Sequence, residues 1–102
     1  MKVKDFQRTA GNMIEDEREK VIIDLRKKED FEKDTCDGAI NIYWEELEDD
    51  FWGVYQDKPI YLLCYTGITS DEIAEVLQKK GMEAYSIAEG YRGYLKWKLT
   101  GI

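Results

Sequence analysis

The chain of 102 residues contains no histidine. Ser-His-Asp and Cys-His catalysis therefore cannot operate from this chain, and imidazole ligation of zinc or haem is excluded. Cysteine occurs twice, as Cys36 and Cys64, too few for a four-thiolate metal site and too widely spaced for a C-x-x-C redox pair. Spacing alone leaves a disulfide between them open. Free thiols in an intracellular chain are the expectation, because small secreted domains usually carry more bridges. Long apolar runs are missing as well. The longest, Ile60-Tyr61-Leu62-Leu63-Cys64-Tyr65, is far too short to cross a bilayer. The polar start Met1-Lys2-Val3-Lys4-Asp5 offers no signal-peptide core. There is no basic tract. With 22 acidic against 15 basic residues the net charge is -7, a poor match for nucleic acid or an anionic membrane, both of which need clustered Lys and Arg. These absences predict a soluble, cytoplasmic protein with neither of those partners.

What is present is enough for a core. Hydrophobic residues make up 43% and aromatics 13% of the chain, which excludes disorder on composition. Surface scaling at this length buries about 65% of the unfolded surface, which suffices for one domain over residues 1–102 and not for two. The single proline, Pro59, stands at the entry to the strongest apolar run and marks no boundary.

Short apolar runs alternate with helical patterns. Val21-Ile22-Ile23-Asp24-Leu25 and Ala39-Ile40-Asn41-Ile42 read as strands. Residues 60–65 are apolar at successive positions, as in a central strand covered on both faces. Glu83-Ala84-Tyr85-Ser86-Ile87 alternates and suits a position nearer an edge. The spacing predicts a helix over 69–80, with Thr69 and Glu72 as a capping box, Ile73, Val76, Leu77 and Lys80 on one face, and Gly81 just past its end. Shorter helices are expected over 44–51 and 91–99, and another over 5–14. Strands separated by helices imply parallel pairing with right-handed crossovers: an α/β three-layer sandwich, in which ligands gather at the carboxyl ends of the strands.

The strongest strand ends at Cys64, and Cys64-Tyr65-Thr66-Gly67-Ile68-Thr69-Ser70 then leads into a helix. A tight loop of this kind can aim several N–H groups at its centre, and the helix N-terminus adds positive potential. Both favour a thiolate over a thiol. The effect matters because an ordinary cysteine is only about 3% thiolate at pH 7. Asp71 and Glu72 would oppose it, and are expected to face solvent instead. Cys36, in a loop before a short strand, reads as a bystander thiol.

This loop resembles the active-site pattern C-x-x-G-x-R-S of the rhodanese family. The resemblance runs from about Val3 to Trp97. Val21-Ile22-Ile23-Asp24-Leu25-Arg26 is similar to the family's V-x-I-D-V-R strand, with Asp30-Phe31 after it. Gly38-Ala39-Ile40-Asn41-Ile42 is similar to G-A-x-N-I, Glu89-Gly90-Tyr91 to a Gly-Gly-aromatic turn, and Trp97 to a C-terminal tryptophan. The resemblance implies a rhodanese-like sandwich, mostly parallel in its sheet, with helices on both faces. It implies a sulfurtransferase in which Cys64 takes a sulfane sulfur as a persulfide and passes it to cyanide, a thiol or a protein. Tyr65, Thr66, Gly67, Ile68, Thr69 and Ser70 would form the persulfide cradle. No metal or organic cofactor is implied, the persulfide itself being the carrier. Partners would be a small-molecule sulfur donor and a thiol or cyanide acceptor, with a protein in either role left open. Asp24 and Arg26 read as a fold-supporting network beside the site.

The departures carry information too. Thr69 stands where the pattern has arginine, so the loop is without a cation, and thiosulfate, a dianion, should be drawn to it poorly. Asp34-Thr35-Cys36 replaces the family's G-H-I, and Glu89 replaces the first glycine of the turn. The related phosphatase loop C-x5-R would need arginine where Ser70 stands. The alternative reading is a non-catalytic rhodanese-like interaction module. The acidic run Glu45, Glu46, Glu48, Asp49, Asp50 could then recruit a basic partner, or be a solvated face.

Overall fold

In the computed structural model, residues 6–101 are described. Val3 and Asp5, at the start of the family resemblance and of the expected N-terminal helix, lie outside them. Five parallel strands form one sheet: β1 (Gln7–Arg8), β2 (Val21–Asp24), β3 (Ile40–Asn41), β4 (Ile60–Leu63) and β5 (Ala84–Ile87), in the order β1-β5-β4-β2-β3. The helices are α1 (Ala10–Glu15), α2 (Lys28–Lys33), α3 (Ile68–Lys79) and α4 (Gly90–Thr100). The expected α/β sandwich is therefore present.

The burial pattern explains why β2 and β4 sit inside. Every residue of both is buried, as parallel strands covered on two faces must be. Alternate residues feed two clusters. Val21, Ile23, Leu25, Ile60, Leu62 and Cys64 pack with Trp52 and with Ala74 and Leu77 of α3. Ile22, Tyr61, Leu63 and Ile87 pack on the other face with Ala10 and Met13 of α1 and Tyr94 of α4. Cys36 belongs to the second cluster and Cys64 to the first, and both are free thiols.

Several local expectations are corrected. The first part of the expected 5–14 helix is strand β1, which pairs with β5 and occupies the edge expected of β5. Its two residues are too few to show alternation. Thr9 then caps α1 through a capping box with Asn12. The expected 44–51 helix is two 3₁₀ helices, Trp44–Glu46 and Asp49–Tyr55. The charged run 15–20 is tied into the fold: Asp16 accepts from Tyr61 (2.6 Å) and pairs with Arg18 (2.9 Å), which also reaches Glu83 (2.7 Å). Hydrogen bonds from Arg18 and Tyr61 hold the Asp16 carboxyl well below its ordinary pKa.

Helix α3 starts one residue earlier than expected, and Thr69 does not cap it. Gly67 is the N-cap, with φ 100°, and no side chain completes the cap. The predicted face exists but is only partly buried. Leu77 is in the core, whereas Val76 is 51% exposed. Among the described residues, no helix is long and apolar enough to cross a membrane.

Candidate active site

Cys64 immediately follows β4 and is buried on the α3 side of the sheet. The loop after it closes on the sulfur. The Gly67 N–H donates to Cys64 Sγ at 3.1 Å and the Ser70 N–H at 3.4 Å, while Ser70 Oγ lies 3.3 Å away. Gly67 permits this because its left-handed backbone turns the chain straight into α3. The sulfur thus faces two backbone donors and a hydroxyl at the positive end of a helix, an arrangement that stabilises negative charge.

The loop is held from below. Ser70 Oγ is 2.6 Å from Ser86 Oγ on β5, and both serines are fully buried. The Tyr91 N–H donates to the Cys64 carbonyl at 2.7 Å. Gly90 makes that approach possible: a Cβ there would stand 2.3 Å from Cys64 O and 2.8 Å from Thr66 N. Residue 89 has φ 61°, the left-handed region, and carries glutamate there. The missing first glycine of the turn is therefore a real departure, because the backbone still takes the conformation that glycine favours.

Of the predicted site residues, Cys64, Tyr65, Thr66, Ile68 and Thr69 line one cavity of about 240 Å³, joined by Leu25 and Trp44. Gly67 and Ser70 do not line the cavity but contact the sulfur through their N–H groups. No lysine or arginine lines this cavity. Asp71 does not face solvent as expected. Its Oδ2 accepts from Gln7 Nε2 of the edge strand at 2.8 Å, and its Oδ1 is buried without a partner among the described residues. Glu72 is exposed, as expected.

Asp24 and Arg26 come together beside the site, not in it. Their charged groups are 2.9 Å apart and almost fully buried. Asp24 also accepts from Thr35 Oγ1 (2.7 Å), and Arg26 donates to the Asp34 carbonyl (2.6 Å). Asn41 Nδ2 ties the Asp24 and Arg26 carbonyls together. Burial opposes the Arg26 charge, but Asp24, with Tyr91 and Asp30 adding to it, offsets that and keeps the guanidinium pKa above its ordinary value. The Arg26 guanidinium lies 3.9 Å from the Tyr91 ring centre. Arg26 is consumed by this network and lines no part of the Cys64 cavity. Cys36 is buried on the other face of the sheet, and burial, with the Asp24 charge adding to it, pushes its pKa up to about 12.

Sequence reasoning missed Ser86, Gly90 and the Tyr91 N–H. Ser86 had a signal, a hydroxyl on the inward face of β5 beside Ala84. The other two lie in a turn whose contact with Cys64 arises only from tertiary structure.

Residues 7–97 match the model of the rhodanese-like domain. The chain is 38% identical over 74 residues to the tRNA sulfurtransferase of Desulfurococcus amylolyticus, covering 72% of this chain but only 14% of that protein. It is 29% identical over 82 residues to the thiosulfate sulfurtransferase GlpE of Coxiella burnetii, covering 79% of this chain and 74% of that one. Among solved structures, reduced CoADR-RHD of Bacillus anthracis superposes with a TM-score of 0.67 at 29% identity, over 81% of this chain and 14% of that chain.

Proposed function

This chain belongs to the rhodanese-like domain family, and we propose that it is a sulfurtransferase whose sulfur carrier is Cys64. Distant relatives named sulfurtransferases support the class. The observation that carries the assignment to Cys64 is the pair of N–H groups from Gly67 and Ser70 on its Sγ, at 3.1 and 3.4 Å.

The chemistry follows from that geometry. The Cys64 thiolate attacks the outer sulfur of a sulfane donor, and the donor leaves with its electron pair. The resulting persulfide extends into the cavity, with the loop N–H groups facing its charge. An acceptor nucleophile then takes the outer sulfur and returns Cys64 to the thiolate. Ser70 and Thr69 offer hydroxyls along this path. The sulfur is carried on Cys64 itself, so the cycle calls for no cofactor.

Thr69 and the neutral cavity lining set the donor preference. An uncharged or organic persulfide enters more readily than thiosulfate, whose two negative charges meet no cation. The test is a steady-state assay with cyanide as acceptor, comparing thiosulfate with an organic persulfide that carries no carboxylate, such as 2-hydroxyethyl persulfide. Turnover with the persulfide, at a higher kcat/KM than with thiosulfate and lost in Cys64→Ser, is expected. Turnover undiminished in Cys64→Ser would overturn the assignment.

A further inference from the structure

The face of α3 that carries Ile73, Val76, Leu77 and Lys80 reaches the core at Leu77 and otherwise forms one wall of an open groove. Thr69, Glu72, Ile73, Val76, Leu77 and Lys80 line it from the helix, spanning about 16 Å of helix rise. Trp44, Leu47 and Trp52 form the opposite wall, enclosing about 480 Å³. Trp44 and Thr69 also line the Cys64 cavity, so the groove adjoins the cavity that holds the sulfur. Its apolar surface is left uncovered: Trp44 is 43% and Val76 51% exposed, with Ile68 at 69% beside them. Its rim is acidic. Glu48, Asp49 and Glu72 line it, against the single cation Lys80, and the acidic run continues through Glu45, Glu46 and Asp50. None of these carboxylates forms an ion pair among the described residues.

We propose that this groove docks a protein sulfur acceptor through an extended segment in which apolar and basic side chains flank a cysteine. The inference rests on the sulfur-carrier reading of Cys64 and names its partner. The 240 Å³ cavity holds a small donor unaided. The groove beyond it has no use for such a donor but fits a polypeptide, with apolar side chains on Trp44, Ile73 and Val76 and basic ones opposite Glu48, Asp49 and Glu72. In the transfer, the acceptor thiolate bonds to the outer sulfur of the Cys64 persulfide. The S–S bond to Cys64 breaks with its electron pair remaining on Cys64, and the acceptor leaves as a persulfide. No net oxidation occurs.

The probe is an eight-residue lysine–leucine peptide with one central cysteine, beside a twin in which each lysine is glutamate. Serine versions of both report binding alone, through the fluorescence of Trp44 and Trp52. The lysine peptide should bind and perturb that fluorescence, more weakly as salt rises, and should discharge persulfide-loaded protein at least tenfold faster than the glutamate twin. The exposed pair Glu48→Lys and Asp49→Lys should abolish the preference and leave discharge by a small thiol unchanged. Val76→Glu should weaken the binding of both peptides. Equal binding and discharge by the two peptides, with small-thiol discharge intact, would overturn the groove while leaving the carrier reading standing. Failure of Cys64 to load would sink the carrier reading, and the serine-peptide binding would still decide the groove. Occupation of the groove by a second copy of this chain, seen as a dimer that the peptide does not dissociate, also counts against the proposal.

Discussion

Replacing Gly90 by alanine should damage both the fold and the loop, and the cost separates into two parts. The first is conformational. Residue 90 has φ 57°, and a side chain there costs about 1–2 kcal/mol. Lower entropy of the unfolded chain offsets about 0.4–1 kcal/mol of that. The second part is steric. The new Cβ would stand 2.3 Å from Cys64 O and 2.8 Å from Thr66 N, both backbone atoms that cannot rotate away. Forcing atoms into a packed interior costs about 1–3 kcal/mol. The sum is about 1–5 kcal/mol, centred on about 3, which a domain holding about 5–15 kcal/mol survives at 25 °C. Gly38→Ala is the internal control. Gly38 has φ 82° but nothing within 4 Å of its absent Cβ, so only the conformational part applies, about 0–1.6 kcal/mol net. Urea unfolding of the two variants, followed by circular dichroism, measures both costs. Persulfide loading of folded Gly90→Ala should also fall by a factor of ten or more, because a misplacement of about 1 Å can cost about 100-fold in rate. If Gly90→Ala were no less stable than Gly38→Ala and loaded normally, the close approach of this turn to the Cys64 carbonyl would not be what holds the loop.

Further outcomes are expected elsewhere. Ser70→Ala leaves the buried Ser86 hydroxyl without its partner, which should cost about 1–2 kcal/mol, and it should slow iodoacetamide alkylation of Cys64 several-fold by removing a group 3.3 Å from the sulfur. Glu89→Gly relieves a left-handed glutamate and should stabilise the protein by about 0.5 kcal/mol in urea titration. Arg26→Met strands the Asp24 carboxylate inside the protein and should cost about 3–5 kcal/mol. The Asp24→Asn, Arg26→Met double variant should recover much of that loss, and a double-mutant cycle reads the difference. The Asp16 carboxyl is held below its ordinary pKa, so its stabilisation is present above about pH 4 and is lost as pH falls toward the folded value. Urea midpoints measured from pH 5 to pH 2 should therefore drop, and drop less in Asp16→Asn.

What could be read from residue order was the frame. Unbroken apolar runs betrayed β2 and β4 because parallel strands covered on both sides must be apolar at successive positions. The strand-to-loop-to-helix passage at Cys64 was legible for the same reason: a cysteine closing such a run, a glycine three residues on, then a helical period. What stayed hidden depends on tertiary contact. β1 is two residues long and exists only because β5 offers it an edge. The Thr69–Glu72 spacing suggested a cap, but the loop folds over the sulfur and makes Gly67 the N-cap, which places Thr69 inside the helix and at the cavity wall. The stripe at Ile73, Val76, Leu77 and Lys80 has a core's periodicity, yet the chain facing it consists of 3₁₀ helices that leave a groove. Periodicity reports which residues share a face and not what covers it.

Intact-protein mass spectrometry after mixing the reduced chain with an organic persulfide tests the central claim most directly. The account predicts a gain of one sulfur atom that maps to Cys64, is lost on adding cyanide or a thiol, and is missing in Cys64→Ser although Cys36 remains. A folded, reduced chain that gains no sulfur, or gains it equally in Cys64→Ser, would contradict it.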